Sequence, residues 1–247
     1  MPAKKKARSV LITGGTGSVG QALVRGFTST GYRVVFQFCH DKSMATRLKK
    51  ECNAEPLQLD FEQHFVLPES NYDVVVNNAG INISDVPTDE VTLEDWTRTL
   101  QVNLTVPFLI IRQCLPSMKK QRWGRIINIS SIYGLRGVEG NFPYTVSKHG
   151  LSGLTKTLAK EYAALGITCN EICPGPIDSK MMRDIAKRSA AQSGGTSHEY
   201  LKEVREEIPA NRMCKPADVA ALALFLASPA AGYLNGVSIP LDGGMIA

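Results

Sequence analysis

Val10-Leu11-Ile12-Thr13-Gly14-Gly15-Thr16-Gly17-Ser18-Val19-Gly20 is the stretch on which the fold turns. An apolar run passes into a loop with few side chains and then into a helical pattern. That order sets free backbone N–H groups and the positive end of a helix dipole behind a turn that a pyrophosphate can approach closely. Outward from it, short apolar runs alternate with helical patterns, the signal of repeated βαβ units on a parallel sheet. Strands are expected at Ser9–Ile12, Arg33–Phe38, Pro56–Leu59, Val74–Val76, Arg125–Ile129, Thr168–Ile172 and Val237–Leu241. Helices are expected at Val19–Thr30, Ser43–Glu51, Thr92–Gln121, Tyr144–Leu165 and Pro216–Leu226. The fold class is α/β: a Rossmann-type, doubly wound parallel sheet of about seven strands with helices on both faces.

Composition agrees with one globular domain: 247 residues, 43% hydrophobic and 21% charged, with no repeat and no linker. Residues 1–8 read as a basic flexible tail, 9–247 as the single domain, and Met181–Ala210, polar and broken by Ser193-Gly194-Gly195, as a substrate lid. Lys4, Lys5, Lys6 and Arg8 supply most of the net charge of +5, leaving the body near neutrality and arguing against a nucleic-acid partner. Val10–Ile12 is too short for a signal-peptide core, and Val219–Ala227 falls well below the ~18 residues of a membrane span. Six cysteines form no CxxC and no zinc spacing, so no metal is expected. Cys169 and Cys173, four apart in a strand, would sit about 13 Å apart, too far for a disulfide. A reduced cytoplasmic enzyme fits these features.

The second strand ends Gln37-Phe38-Cys39-His40, with no carboxylate before Asp41. An acidic side chain there would bind the 2′-hydroxyl of NAD. His40 and Lys42 instead suit a 2′-phosphate, which favours NADP(H) over NAD(H). Further on, Tyr144-Thr145-Val146-Ser147-Lys148 places a phenol and an amine on one helix face. A phenol ionises near 10, so a neighbouring cation would help it transfer protons at neutral pH. Ser131 stands thirteen residues before Tyr144, at a strand end. Asn77-Asn78-Ala79-Gly80 follows another buried strand, Asn103 lies on the long helix between them, and Pro174-Gly175-Pro176-Ile177-Asp178-Ser179 follows the next strand.

With these motifs in this order, the chain resembles the short-chain dehydrogenase/reductase family, single-domain branch, from Thr13-Gly14 to Leu241-Asp242-Gly243-Gly244. The resemblance implies an oxidoreductase interconverting a carbonyl and a secondary alcohol. Tyr144 would be general acid or base, Lys148 would lower the Tyr144 pKa and bind the nicotinamide ribose, Ser131 would hold the substrate oxygen, and Asn103 would hold a water leading to Lys148. By the same resemblance the cofactor would meet Gly14, Thr16, Gly17, Ser18 and Val19 at the phosphates. Cys39, His40, Asp60, Phe61, Asn78, Ala79 and Gly80 would serve the adenosine side, and Tyr144, Lys148, Pro174, Gly175, Ile177 and Ser179 the nicotinamide end. For Asp60 a plain helix cap is the competing role. His149 points off the catalytic face and is given no role.

Two features depart from the family pattern. Gly14, Gly17 and Gly20 match TGxxGxxG, the spacing of the extended branch, whereas the single-domain branch has glycine where Ser18 stands. The extended branch carries an added C-terminal substrate domain, so with the resemblance closing at Asp242-Gly243-Gly244 the single-domain branch is the expected one, and Ser18 must fit its side chain where glycine is usual. From Asp60 to Asn77 there are only 17 positions, too few for loop, helix and strand, so Phe61–Asn71 reads as a short turn that leaves the adenine end more open.

On overall similarity the expected substrate is a 3-oxoacyl thioester. Lys180, Arg183, Lys187 and Arg188 on the lid are either a dock for an acidic carrier or a solvated face. The alternatives are an NAD-dependent alcohol or sugar dehydrogenase and a non-catalytic dinucleotide sensor. The resemblance also implies a homodimer or homotetramer through the two long helices, where Gly150, Gly153, Thr157 and Ala164 offer a small-residue face that suits internal packing equally well.

Overall fold

The computed structural model describes residues 7–83 and 85–247. Seven strands form one sheet: β1 (Ser9–Ile12), β2 (Arg33–Phe38), β3 (Glu55–Gln58), β4 (Val74–Asn77), β5 (Gly124–Ile129), β6 (Ile167–Pro174) and β7 (Ser238–Leu241). Every pairing is parallel and the order is β3-β2-β1-β4-β5-β6-β7. The order reverses between β1 and β4, which opens a crevice at their carboxyl ends.

Side chains alternate across a strand, and here both faces are covered. Val10, Ile12, Phe36 and Val76 pack under α1 (Ser18–Ser29) and α8 (Pro216–Ala227). Leu11, Val35, Val75 and Ile126 pack under α4 (Val106–Gln121). That is why the strand segments read as continuous apolar runs. In α1 the buried residues Gly20, Leu23, Val24 and Phe27 recur at helical spacing, and Gly31, at φ 83°, ends the element.

The long helix expected at Thr92–Gln121 is interrupted. It starts as α3 (Leu93–Leu100) with the Thr92 hydroxyl accepting from Asp95 N at 3.1 Å, widens into a π-helical turn over Gln101–Thr105, and continues as α4. Among the described residues no helix forms between β3 and β4. Phe61, Phe65, Leu67 and Tyr72 from the short connection fill the apolar layer instead, with the Phe61 and Phe65 rings 4.9 Å apart. The remaining helices are α2 (Lys42–Cys52), α5 (Phe142–Tyr162), α6 (Lys180–Ser193) and α7 (Ser197–Glu206). The α6–α7 break falls at Gly194, φ 78°.

Arg8 departs from the expected free tail. Its guanidinium lies 3.7 Å from the Trp123 ring centroid and its carbonyl accepts from Arg33 N. Lys4, Lys5 and Lys6 lie outside the described residues.

All six cysteines are free thiols. Burial pushes Cys114, Cys169 and Cys173 up from 9.0 to about 12 and Cys214 to about 11. Between pH 9 and those values the unfolded chain loses protons that the folded chain keeps, so stability falls as pH rises. Lys148, pulled down from 10.5 to about 8, works in the opposite sense between those two values. Four thiols outweigh one amine. The melting temperature is expected to drop by on the order of 10 °C between pH 8.5 and 10.5, measured by circular dichroism under reducing conditions.

Candidate active site

The glycine turn is pinned from both sides. Gly14 N donates to Gln37 Oε1 at 2.9 Å and Gly15 N to Gln37 O at 2.7 Å, while Gln37 Nε2 donates to Leu59 O at 2.6 Å. From β4, the backbone N–H groups of Asn78 and Ala79 both donate to Thr13 Oγ1 at 2.9 Å, and Asn78 Nδ2 donates to Thr13 O at 2.8 Å. Gly14 sits at φ 65°, and a Cβ on Gly15 would lie 2.6 Å from the Phe36 ring. The α1 N-terminus has no side-chain cap and no acid in its first turn, so its amides are left for an anion. At Gly17 the space is open, an added Cβ meeting only Gly14 O at 3.4 Å. These residues fit a dinucleotide pyrophosphate. Ser18 does not fill the turn; its hydroxyl accepts from Lys180 N at 3.2 Å and ties the turn to the start of α6.

At the end of β2, Asp41 is occupied in capping α2, its Oδ1 accepting from Met44 N at 2.9 Å. His40 and Lys42 are exposed. Cys39 Sγ lies 3.3 Å from His40 Nε2, and burial followed by the Asp60 charge raises its thiol. Asp60 is not a helix cap: its Oδ1 accepts from Glu62 N at 3.0 Å in a turn. The side chain of Phe61, the residue expected with Asp60 among the cofactor contacts, packs into the apolar layer, so only its backbone faces outward for such a contact. Its backbone carbonyl accepts from Gln101 Nε2.

Ser131, Tyr144 and Lys148 meet at the carboxyl ends of β5 and β6. Ser131 follows β5, its hydroxyl accepting from Tyr133 N at 3.1 Å and lying near enough to the Tyr144 phenol to act on its proton. Lys148 is 3% exposed; its Nζ donates to Ile129 O at 3.0 Å and lies 5.3 Å from the Tyr144 ring centroid. The π-helical turn brings Asn103 to the same place. Its Nδ2 donates to Ile81 O and Ser147 Oγ, and its Oδ1 accepts from Ile81 N. A Cβ on Gly80 would lie 3.4 Å from Asn103 Oδ1 and 3.6 Å from Lys148 Nζ, so this glycine keeps the approach to the amine clear.

In this structure burial pushes the Tyr144 phenol up to about 12, Ser131 offsets this in part, and the neighbouring Tyr133 phenol adds to it. The amine is turned onto a backbone carbonyl and is itself pulled down by burial. The phenol therefore holds its proton at neutral pH.

Tyr144 and Ser131 open onto a cavity of about 300 Å³. Its walls include Tyr133, Met181, Met182, Ile185 and Met245, and Pro174, Gly175, Ile177 and Ser179 also border it. Asp85 and Glu139 are its acids, and no Lys, Arg or His lines it among the described residues. Ser179 Oγ caps α6 by accepting from Met182 N at 3.2 Å. Arg188 is neutralised by Asp85 at 2.8 Å and Arg183 by Asp178 at 2.8 Å. His149 is exposed, its ring bonded to Thr145 O, away from the site.

Two buried polar residues at the site escape a pattern-based reading: Gln37, which clamps the glycine turn, and Glu171 on β6, both fully interior. The signal was a polar residue inside an apolar strand, Val35-Phe36-Gln37-Phe38 and Asn170-Glu171-Ile172. Among the described residues no cluster of His, Cys, Asp and Glu would hold a metal, and no helix is long and apolar enough to cross a membrane.

A sequence profile described as enoyl-(acyl-carrier-protein) reductase matches residues 14–246. The chain is 34% identical to a 3-oxoacyl-[acyl-carrier-protein] reductase of Aquifex aeolicus, over 99% of this chain and 100% of that one. It is 33% identical to an acetoacetyl-CoA reductase of Shinella zoogloeoides, over 96% and 98%. A crystal structure of a point variant of actinorhodin polyketide ketoreductase with NADPH superposes with a TM-score of 0.89 at 28% identity, covering 97% of each chain.

Proposed function

Since the chain belongs to the short-chain dehydrogenase/reductase family, we propose that it reduces the ketone of a 3-oxoacyl thioester with NADP(H). The observation that carries this reading is the meeting of Ser131, Tyr144 and Lys148 at the mouth of the cavity, beside the glycine turn. A bound nicotinamide supplies the hydride. Tyr144, which keeps its proton at neutral pH, delivers it to the carbonyl oxygen as that oxygen gains charge. The Ser131 hydroxyl donates to the same oxygen and holds it in place. Lys148, next to Gly80, binds the nicotinamide ribose, and Asn103 keeps the Ile81 backbone and α5 in register around a water that leads to it. Asn78, Ala79 and Gly80 with Cys39, His40 and Asp60 form the adenosine wall; Pro174, Gly175, Ile177 and Ser179 form the nicotinamide wall.

NADP(H) is favoured over NAD(H) because the one carboxylate at the end of β2, Asp41, is engaged as a cap while His40 and Lys42 are exposed and placed to meet a 2′-phosphate. Titration with NADPH and NADH, followed by nicotinamide fluorescence, tests this: NADPH should bind at least about tenfold tighter, a gap of about 1.4 kcal/mol. Tighter NADH binding would return the alcohol or sugar dehydrogenase reading.

With no cation lining the cavity among the described residues, and Arg188 beside it already paired with Asp85, a thioester is favoured over a free acid, whose carboxylate would find no partner there and would face Glu139. Acetoacetyl-CoA is therefore expected to be reduced with a kcat/KM at least about 100-fold above that for acetoacetate, a difference of about 2.7 kcal/mol in transition-state binding. Equal values would reject the thioester assignment. Because Arg183 and Arg188 spend their charge within the chain, a carrier protein would find mainly Lys180 and Lys187 on the lid.

The assembly we propose is a homodimer or homotetramer. On α5, Gly150 is used internally, a Cβ there lying 2.6 Å from Leu104, but Gly153 faces open space, and Phe108 on α4 is 46% exposed. Residues 181–210 act as the substrate lid. Six unpaired thiols suit a cytoplasmic setting.

A further inference from the structure

Glu171 is fully buried in the middle of β6, where it pairs in register with Asn128 of β5. Its Oε1 accepts from Ser152 Oγ at 2.5 Å, and its Oε2 has no hydrogen-bond partner among the described residues. Ser152 lies one helical turn beyond Lys148 on the same face of α5, and Ile129, whose carbonyl takes the amine, pairs with Ile172 next to Glu171, so the carboxyl group and the amine share one buried region without a direct ion pair. Lys148 is similarly incomplete: a single hydrogen bond, to Ile129 O, serves its three donors among the described residues. A buried carboxyl with an unmet oxygen and a buried amine with unmet donors are each costly as a lone charge, and across a short low-dielectric gap each charge offsets the cost of the other.

We propose that Glu171 is the buried counter-charge of Lys148, a positioning residue that keeps the amine protonated and facing the site. The groups around Lys148 leave this role to β6. On α5 it meets the Tyr144 ring, on β5 the Ile129 carbonyl, and near Gly80 the neutral Asn103 carboxamide. On β6 the Cys173 thiol and Glu171 both act to raise the amine's affinity for its proton, against the burial that lowers it. Burial and the Glu171 charge also hold the Cys173 thiol up at about 12, so near neutrality it carries no charge of its own. Among the described residues, Glu171 is then the anion that balances Lys148.

The inference rests on the reading of Lys148 as the working cation, and its test is made without cofactor or turnover. Lysines are labelled with ¹³C at Cε, and the Lys148 resonance is assigned by its loss in Lys148→Arg. In Glu171→Gln the Lys148 titration midpoint should fall by about one pH unit or more, and Glu171→Asp, which keeps the charge, should restore most of it. A midpoint unmoved in a folded Glu171→Gln protein overturns the proposal. If that variant does not fold, Ser152→Ala decides: loss of the hydroxyl that steadies the carboxylate should lower the midpoint, and an unmoved midpoint rejects the counter-charge role. A purely structural Glu171 would lower the melting temperature and leave the midpoint where it is. Failure to find carbonyl reduction would count against the proposed function and leave this titration interpretable.

Discussion

Tyr144→Phe is expected to lower kcat for acetoacetyl-CoA reduction by about 1000-fold while NADPH binding stays within about threefold of the parent. The substitution removes one hydroxyl and keeps the ring against Tyr133, so packing changes little. What is lost is the phenol beside Ser131, and with it the proton source aimed at the carbonyl oxygen. General acid catalysis of this kind contributes about 10²–10⁴-fold. Steady-state kinetics at pH 7 together with a fluorescence titration of NADPH read the two quantities separately. A variant retaining more than a tenth of the parent rate would mean that the proton comes from elsewhere. Because burial holds the Tyr144 proton to about 12, reduction should be insensitive to this group through the neutral range, and the reverse oxidation should accelerate as pH rises.

The second large effect concerns the glycine turn. In Gly20→Ala the new Cβ would run into the Gly14 carbonyl oxygen and lie 2.7 Å from Gly15 Cα. Both obstacles are backbone, so α1 itself must shift away from the turn. Overpacking of this kind costs about 3 kcal/mol. For a chain of this size that is a fall of about 8 °C in melting temperature. Displacing α1 also moves its uncapped amides away from the pyrophosphate position, so NADPH affinity should drop at least tenfold, about 1.4 kcal/mol. Calorimetry and fluorescence titration measure the two losses. A Gly20→Ala protein as stable as the parent would reject the close-packing account of the turn.

Much of this architecture is legible because the chemistry is local. A strand buried on both faces must be apolar at consecutive positions, and Val74-Val75-Val76 and Arg33–Phe38 declare themselves in that way. The glycine turn is equally plain, since close backbone approach leaves no room for a side chain at Gly15 or Gly20. The positions of Ser131, Tyr144 and Lys148 follow from one helix face and one strand end. The inward turn of the Phe61 side chain was not legible, because a sequence pattern does not say which of two adjacent residues is drawn in to fill the space a missing helix leaves.

The sequence by itself determined the alternation of strands and helices, the parallel sheet, the dinucleotide turn and the residues brought to the sheet's carboxyl edge, because periodicity and glycine placement act within a few residues. Only the tertiary structure decided how those residues are tuned. The π-helical turn that delivers Asn103, the Gln37 clamp on Gly14, the Ser18 contact with α6 and the Ser152 bond to the buried Glu171 join residues 19 to 162 positions apart in the sequence. Hydrogen-bond satisfaction and charge desolvation depend on what surrounds a group in space, and no spacing along the chain encodes that environment.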